Sequence, residues 1–463
     1  MVECLFRLTG NCSSGEMQMS AISWIESEQV REHAPHVGLR RVVLLTHRYA
    51  GLALALFLIL LGITGSLLTF NTELERAISP QLFAAPRPGA TPLSLATLAE
   101  RAERLVPEAR LDYLILHPDQ VMARMEPRAS ATGQVPSIYI DQVFLDPMTG
   151  QELGRRRYGD LSQGSINLMP FIYLLHRELA LGRTGAWILG VVSLVWTVDC
   201  IIAFYLTLPL TFTSFWRRWK QSWRIKWPAG AFRFTFDLHR AGALWVWPIL
   251  LVFAWSGVMM DLTPVYDRVT GAVFDYRSPT NEIGSLPLHS DTPPGMKWHE
   301  AESLGARLMA EEASRRGFTL GQPDTLAYIR YLGVYSYGMH TGLDIRQRSS
   351  DAAIWFDGDT GAVRAVFLPT GIRTGNTITT WLWALHYGDL RNATLYRILV
   401  CLIGLVVAML SVTGIYIWLK KRRARRISRP HLATPGQVEH SLCHVDRVTG
   451  PIRNVLRLRG RIG

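Results

Sequence analysis

Four histidines are the residues of this sequence best placed to bind a metal. Two of them stand in related motifs, His47 in LTHRYAGL and His239 in DLHRAGAL. The other two share a shorter pattern, His176 in LLHREL and His386 in ALHYGD. An imidazole is a common metal ligand and is costly next to lipid, so a histidine beside an apolar run is a candidate functional residue. Four of them at matched places suggest two ligand pairs.

The elements that must position these histidines are four long apolar runs, which raise the hydrophobic fraction of the 463-residue chain to 48%. The runs cover residues 42–70, 186–210, 241–262 and 395–419. Each can cross a hydrocarbon layer of about 30 Å, which needs about 20 helical residues. The first run follows a polar stretch and has no cleavage pattern, so we expect a membrane helix there and not a signal peptide.

Lysine and arginine are concentrated beside these runs and account for the net charge of +12. They lie before the first run (Arg40, Arg41), between the second and third (Arg217, Arg218, Lys220, Arg224, Lys226), and after the fourth (KKRRARR, 420–426). The positive-inside rule then predicts that both termini and the short basic connection are cytoplasmic. The clusters could also hold anionic lipid. We expect no nucleic-acid binding, because the charge follows the membrane segments.

The five cysteines exclude several kinds of site. They are Cys4, Cys12, Cys200, Cys401 and Cys443. None falls in the long segments 71–185 and 263–393, so those segments cannot use disulfides. The sequence has no CxxC, no CxxCH for attached c-type haem and no zinc-ligand spacing.

The two halves of the chain follow one plan. Gly65 follows His47 by 18 residues, and Gly257 follows His239 by the same 18. A hydroxyl residue precedes each glycine, and such pairs predict close helix approach in a membrane. The fourth run carries Thr413-Gly414, whereas the second run has Asp199-Cys200 at the comparable place. Asp199 is the one acidic residue near the middle of a run and could be protonated, bond a hydroxyl or couple proton movement.

The long segments between the runs also match. Each contains a helical stretch and then an Asp-x-x-Thr-Gly turn between β-type residues, in VFLDPMTGQELG and in IWFDGDTGAVRAV. A turn aspartate usually bonds its own backbone, so we interpret Asp146 and Asp357 as structural. The predicted fold is an α-helical membrane protein with four transmembrane helices in two repeated halves, plus two α+β domains.

These residues resemble the PepSY-associated transmembrane proteins, bacterial inner-membrane proteins that include di-haem ferric-siderophore reductases. The likeness rests on HRxxG opening the first helix, TG before its exit, DLHR opening the third, LH before the second and fourth, and the DxxTG hairpins. It covers about residues 40–422. The resemblance implies two PepSY-like periplasmic domains and two b-type haems, with the iron ligated axially by His47 and His239 near the cytoplasmic face and by His176 and His386 near the periplasmic face.

The expected topology supports the same pairs without the resemblance. His47 and His239 begin helices that run outward, and His176 and His386 precede helices that return. Two facing helices can each supply one imidazole to haem iron. The spacing of 18 residues corresponds to about 27 Å, a long gap between two haems. Trp196, Trp245, Trp247 and Trp255 are candidate relays, although interfacial anchoring or packing is the simpler expectation for each.

The predicted order of domains follows from these boundaries. It comprises a polar cytoplasmic N-terminus (1–39), a first membrane helix (40–70), a periplasmic domain (71–185), a second helix (186–210), a basic cytoplasmic loop (211–239), a third helix (240–262), a second periplasmic domain (263–393), a fourth helix (394–419) and a basic cytoplasmic tail (420–463).

The leading hypothesis is a haem-dependent membrane oxidoreductase that reduces a periplasmic ferric siderophore or other iron chelate in iron uptake. The sequence shows no GxGxxG after a strand near a cytoplasmic segment, so the electron donor would be a quinol or a separate cytoplasmic reductase. One alternative is a membrane-anchored regulator whose PepSY-like domains bind a peptide or protease without catalysis. A metal permease with histidines along a path is another.

Overall fold

The computed structural model describes residues 34–87, 89–128, 138–278, 293–391 and 394–427. The helices in these ranges are α1 (Ala34–Leu68), α2 (Asn71–Ile78), α3 (Leu95–Leu105), α4 (Leu168–Glu178), α5 (Arg183–Thr207), α6 (Phe215–Trp219), α7 (Ala231–Asp261), α8 (Thr263–Val273), α9 (Trp298–Arg316), α10 (Thr374–Tyr387) and α11 (Thr394–Ile427). The strands are β1 (Ala109–His117), β2 (Gln120–Pro127), β3 (Gln142–Leu145), β4 (Glu152–Arg156), β5 (Leu320–Ile329), β6 (Val334–Thr341), β7 (Ala352–Asp357) and β8 (Val363–Phe367).

Among the described residues, four helices are long and apolar enough to cross a membrane, as the sequence predicts. The spans are Gly38–Leu68, Arg183–Thr207, Ala231–Asp261 and Thr394–Arg426. The third helix begins well before residue 240, where the hydropathy alone would start it. Its first turns are stabilised by Asp237, which is fully buried and pairs with Arg233 at 2.8 Å and Arg240 at 2.9 Å. These i,i+4 and i,i+3 pairs extend the helix through a polar sequence.

The membrane helices pack through small residues and an apolar centre. Gly62 of α1 meets the backbone of Gly404 of α11 so closely that a side chain on either would collide with the other helix. Ser66 donates a hydrogen bond to the carbonyl oxygen of Cys401 at the same crossing, 2.8 Å away. The centre of the bundle is formed by Leu54, Leu58, Val192, Leu250, Phe253, Ala254, Ile403 and Val407. Small residues therefore set the contact between the first and last helices, as expected in lipid.

The segments between the helices join in a single sheet of eight antiparallel strands. Its order is β4-β3-β2-β1-β5-β6-β7-β8, so the strands of the first segment occupy one half and those of the second segment the other. The join is the pairing of β1 with β5, where Leu114 lies opposite Leu326. The sequence predicts two separate α+β domains, whereas in the structure the strands of both segments form one continuous sheet with a shared core.

Two helices cover this sheet and form its core with it. The helical stretches predicted from the sequence are α3 and α9, and both bury apolar residues against the strands. Glu302 of α9 accepts hydrogen bonds from the backbone N–H groups of Leu95 and Ala96, each 3.0 Å long. A carboxylate at these otherwise unpaired N–H groups stabilises the start of α3. The two segments are thus tied together by helix capping as well as by strand pairing.

Both Asp-x-x-Thr-Gly turns have the structural role that the sequence predicts. Asp146, between β3 and β4, accepts from the backbone N–H groups of Met148 and Thr149. Asp357, between β7 and β8, accepts from the backbone of Thr360 and from the guanidinium of Arg364. Burial by itself would raise the pKa of Asp357, but these hydrogen bonds outweigh it and hold that pKa below its usual value.

Two short helices lead into the returning membrane helices. α4 ends at Glu178 and is followed by α5, whereas α10 ends at Tyr387 and is followed by α11. Gly388 has a φ of +65°, a left-handed conformation that favours glycine and ends α10. His176 and His386 lie in the last turns of these two helices. Both histidines therefore lie outside the membrane spans themselves, as the polar breaks in the sequence predict.

Candidate cofactor site

The structure brings the four histidines together in the two pairs expected from the sequence. The ring centroids of His47 in α1 and His239 in α7 are 6.4 Å apart, with the ring planes at 52°. Those of His176 in α4 and His386 in α10 are also 6.4 Å apart, with the planes at 65°. Each pair contains one histidine from each half of the chain.

The separation within each pair suits one metal between two imidazoles. A metal–imidazole bond is about 2.0–2.1 Å long, and a ring nitrogen lies about 1.1 Å from its ring centroid, so two coaxial rings on one metal have centroids about 6.3 Å apart. The 6.4 Å found for both pairs matches this value. In the described ranges no group of three or more His, Cys, Asp or Glu residues could hold a metal ion. Each pair would offer two imidazole ligands, the number of protein ligands that an electron-transfer haem takes.

Hydroxyl groups fix the tautomer of the His176–His386 pair. The Thr64 hydroxyl donates to the carbonyl oxygen of Leu60 at 2.7 Å, so its oxygen accepts from Nδ1–H of His176 at 2.9 Å. The Ser256 hydroxyl likewise donates to a carbonyl oxygen of its own helix at 3.0 Å and accepts from Nδ1–H of His386 at 2.6 Å. With the proton on Nδ1, the lone pair of each ring lies on Nε2 and can bind a metal.

The His47–His239 pair is held in the same way by two different acceptors. Nδ1 of His239 lies 3.0 Å from the carbonyl oxygen of Leu410 and 3.0 Å from the Thr413 hydroxyl. A carbonyl oxygen only accepts, so this nitrogen carries the proton. Nδ1 of His47 lies 3.0 and 3.1 Å from the two carboxylate oxygens of Asp199. All four rings therefore present Nε2 as the free nitrogen.

The glycines beside the hydroxyl residues make room for the rings. A Cβ on Gly65 would lie 3.0 Å from Cε1 of His176, and a Cβ on Gly414 would lie 3.4 Å from Cε1 of His239. Gly257 differs, because its nearest neighbour is Ser193 of α5. The sequence predicts close helix approach at these glycines. That holds for Gly257, whereas Gly65 and Gly414 contact imidazole rings.

Space also exists beside the His47–His239 pair. No atom lies within 4 Å of the position that a Cβ would take on Gly51. Gly51 is one helical turn after His47, on the same face of α1. An open position beside a ligand suits a bulky planar group. The residues of both pairs thus fit a haem in donor number, spacing and tautomer.

Burial keeps the His176 and His386 rings neutral. These two histidines lie on α4 and α10, outside the four spans. Burial lowers the pKa of His176 to about 4 and the pKa of His386 to about 3. A neutral imidazole keeps the nitrogen lone pair that a metal ligand needs. Phe253 packs edge-on against His386 with centroids 5.3 Å apart and fixes one side of that ring.

The four tryptophans considered as relays have local partners. Trp245 donates to the carbonyl oxygen of Trp223, and Trp247 donates to that of Cys200. Trp255 packs on Tyr266, and Trp196 packs on the apolar centre of the bundle. These contacts agree with anchoring and packing, the simpler expectation.

The sequence motifs identify the histidines but do not identify their hydrogen-bond partners, which are Thr64, Ser256, Thr413 and Asp199. The signal was present, since Thr64 follows His47 and Ser256 follows His239 by the same 17 residues. Each residue bonds a histidine on a different helix, so its partner could not be read from the spacing alone.

Comparison with known proteins identifies a family. The family model described as the PepSY-associated TM region matches residues 44–421. The matched range includes all four histidines and their hydrogen-bond partners. No curated protein matches the chain.

Proposed function

The chain belongs to the PepSY-associated TM region family, and from that premise we propose that it carries electrons across a bacterial inner membrane through two b-type haems and reduces a ferric chelate, such as a ferric siderophore, in the periplasm. In this proposal His47 and His239 hold the inner haem, and His176 and His386 hold the outer one. The alternative of a non-enzymatic regulator needs neither pair.

The observation that best supports the proposal is that all four imidazoles have the same tautomer, with the proton on Nδ1. Every Nδ1 is bonded to an acceptor on a neighbouring helix, which leaves Nε2 as the free nitrogen of each ring. The ring centroids within each pair are 6.4 Å apart. Histidines that ligate metals almost always donate the other ring N–H in this way. Four rings bonded only for packing have no common requirement to keep the same nitrogen free.

A haem held by such a pair of imidazoles would supply one-electron chemistry, and two protein ligands would exclude oxygen from the iron. The role of the protein is to hold each imidazole rigidly, because a ligand that moves little keeps the reorganisation energy of electron transfer low. The hydroxyls of Thr64, Ser256 and Thr413 do this from helices that are themselves packed. Along α1 the level of His47 and the level of Thr64 are separated by 17 residues, about 25 Å of helix, so the two pairs lie near opposite ends of the span.

The shared sheet supports the proposed topology. A hydrogen-bonded sheet cannot have its strands on opposite sides of a bilayer, because its backbone groups must stay paired and out of lipid. Strands β1 and β5 come from the segments before the second and after the third span. Both segments therefore belong on one side, which we propose is the periplasm, and both termini belong on the other.

Basic and aromatic residues support the cytoplasmic assignment of the opposite side. Arg40 donates to the carbonyl oxygens of Leu206 and Leu208 at the end of α5. The following connection exposes Phe212 and Trp216 beside Arg217 and other cations. Aromatic rings at the headgroup level and positive charge on the cytoplasmic side are typical of inner-membrane proteins. This surface would contact lipid headgroups and, when the donor is a separate reductase, an acidic partner.

The edge beside the outer pair supports a ferric chelate as the acceptor. Arg177 and Tyr387 directly follow the two histidines, and both are exposed. An exposed guanidinium attracts anionic groups such as the oxygen-rich ligands of iron chelates. Each ferric ion reduced there would take one electron.

The test is the visible spectrum of the purified full-length protein in detergent. Protein from haem-replete cells should show reduced b-type bands after dithionite and about two haems per chain in the pyridine haemochrome assay. His47→Ala and His176→Ala should each lower the content to about one. His299→Ala is the matched control, because His299 is an exposed histidine of α9 and should leave two haems.

Activity is then tested with ferric citrate as the probe. Addition to the reduced protein should bleach the reduced bands, and His176→Ala should slow this reaction. A colourless wild-type preparation, with histidine variants that behave as wild type, would refute the proposal and favour the regulator.

A further inference from the structure

One of the four histidines differs from the others in the chemistry of its acceptor. His176, His386 and His239 each donate Nδ1–H to a neutral hydroxyl oxygen, that of Thr64, Ser256 and Thr413 respectively. His239 also donates to the carbonyl oxygen of Leu410. His47 donates to the carboxylate of Asp199. The corresponding place in the fourth span holds the hydroxyl of Thr413, so the carboxylate is a local replacement within an otherwise shared arrangement.

The contact between His47 and Asp199 is well formed. Both carboxylate oxygens lie at 3.0–3.1 Å from Nδ1, and the Asp199 side chain is 10% exposed. Nearby hydroxyl donors are otherwise engaged, since Thr197 donates to the carbonyl oxygen of Ser193 at 2.8 Å. The indole N–H of Trp247 is likewise engaged, since it donates to the carbonyl oxygen of Cys200 at 2.8 Å. His47 is thus the main hydrogen-bond donor to Asp199.

A carboxylate acceptor changes the ligand more than a hydroxyl does. Its hydrogen bond is charge-assisted and about twice as strong as a neutral one. It draws the Nδ1 proton away from the ring and makes Nε2 more electron-rich, which raises ligand basicity. An electron-rich axial ligand stabilises the more highly charged ferric state, and second-shell hydrogen bonding is a recognised determinant of haem potential.

We propose that Asp199 is a positioning residue that sets the midpoint potential of the inner haem below that of the outer haem. The inference rests on the proposed function, since it concerns the haem that His47 and His239 would hold. This difference in potential would set the direction of electron transfer. An electron at the inner site would lie at the more reducing potential and would pass outward with a favourable free-energy change, one electron being lost inside for each one gained outside.

The experiment compares Asp199→Asn and Asp199→Thr with the wild type in redox titrations. The titrations are monitored by optical and low-temperature EPR spectra. The asparagine retains an acceptor oxygen of the same shape without charge, and the threonine reproduces the hydroxyl of the other sites. Titration in the His176→Ala background, which retains only the inner haem, assigns the signal. Ser256→Ala is the matched control for the outer site.

Both Asp199 variants should keep about two haems per chain, shift the inner midpoint potential to a more positive value, and change the EPR g-values of that haem alone. Ser256→Ala should leave the inner potential unchanged. The inference is overturned when the inner potential stays in place, when both potentials move equally, or when both variants lose the inner haem, which makes Asp199 a structural requirement only. A wild type without haem overturns the proposed function as well, whereas two haems with an unmoved inner potential overturn only the role of Asp199.

Discussion

Enlarging Gly65 should remove the proposed outer haem while the proposed inner haem stays. In the native structure a Cβ at this position would lie 3.0 Å from Cε1 of His176. Carbon atoms in optimal contact are about 3.5–4.0 Å apart, so the Gly65→Ala ring must withdraw by about 0.5 Å. The hydrogen bond from His176 to Thr64 is 2.9 Å long and would approach the limit of such bonds.

Losing that bond costs about 0.5–1.5 kcal/mol, which weakens binding of the proposed outer haem roughly 2- to 13-fold in Gly65→Ala. Gly65→Val adds two further methyl groups in the same place and should exclude the native ring position. We expect its haem content to fall from about two per chain to about one. The remaining spectrum should be that of the inner haem, as in His176→Ala.

Two other glycines provide the controls. Gly414→Ala places its Cβ 3.4 Å from the ring of His239, an ordinary contact, and should bind two haems with at most a small spectral change. Gly271→Val lies in a helix outside the spans with no atom within 4 Å of its Cβ position, and should behave as wild type. The assay is the pyridine haemochrome ratio together with the low-spin EPR signal. Two haems with an unchanged spectrum in Gly65→Val would refute the steric argument, and equal loss of both haems would show general unfolding.

Three further predictions concern the extramembrane region. Asp357→Ala should lower the free energy of unfolding by about 1–2 kcal/mol, whereas the control Glu311→Ala should be neutral in the same thermal melts. Hydrogen bonds hold the folded pKa of Asp357 below 3.8. Its stabilisation is therefore present above pH 3.8 and is lost as the pH falls through the lower folded pKa. The hydrogen bond to Asp344 raises the pKa of His340 above 6.5. The stabilisation from this bond is therefore complete below pH 6.5 and is lost as the pH rises through the folded pKa. The melting temperatures at about pH 6 and pH 8 should differ less in His340→Gln than in wild type. Leu326→Ala removes a fully buried side chain where the two halves of the sheet join. It should lower the free energy of unfolding by about 2–5 kcal/mol and expose both segments to limited proteolysis. Cleavage confined to one segment would contradict the single sheet.

Features with a local physical cause could be predicted from the sequence. Hydropathy located the four spans, because crossing a bilayer needs a continuous apolar helix. Asp146 and Asp357 were recognisable as turn residues because their hydrogen bonds go to their own backbone within three residues. Hydropathy does not indicate the helical turns that precede the apolar run of α7, since the ion pairs of Asp237 support a helix where the sequence is polar.

Other features depend on residues that are far apart in the chain. Nothing in the β-type pattern of β1 specifies β5 as its neighbour, because strand pairing is decided by how whole segments pack. The spacing of Thr64 and Ser256 was visible, but their bonds to His176 and His386 cross between helices. Asp199 could not be assigned a partner from sequence, since His47 is 152 residues away.

The sequence by itself therefore determined the four histidines, the helices that carry them and their division into two pairs, because topology and hydropathy act along the chain. Only the tertiary structure decided which nitrogen of each ring is free, that the extramembrane segments share one sheet, and that one histidine faces a carboxylate. A tautomer and a charge partner depend on distances of about 3 Å between separate helices, and those distances exist only after the helices have packed.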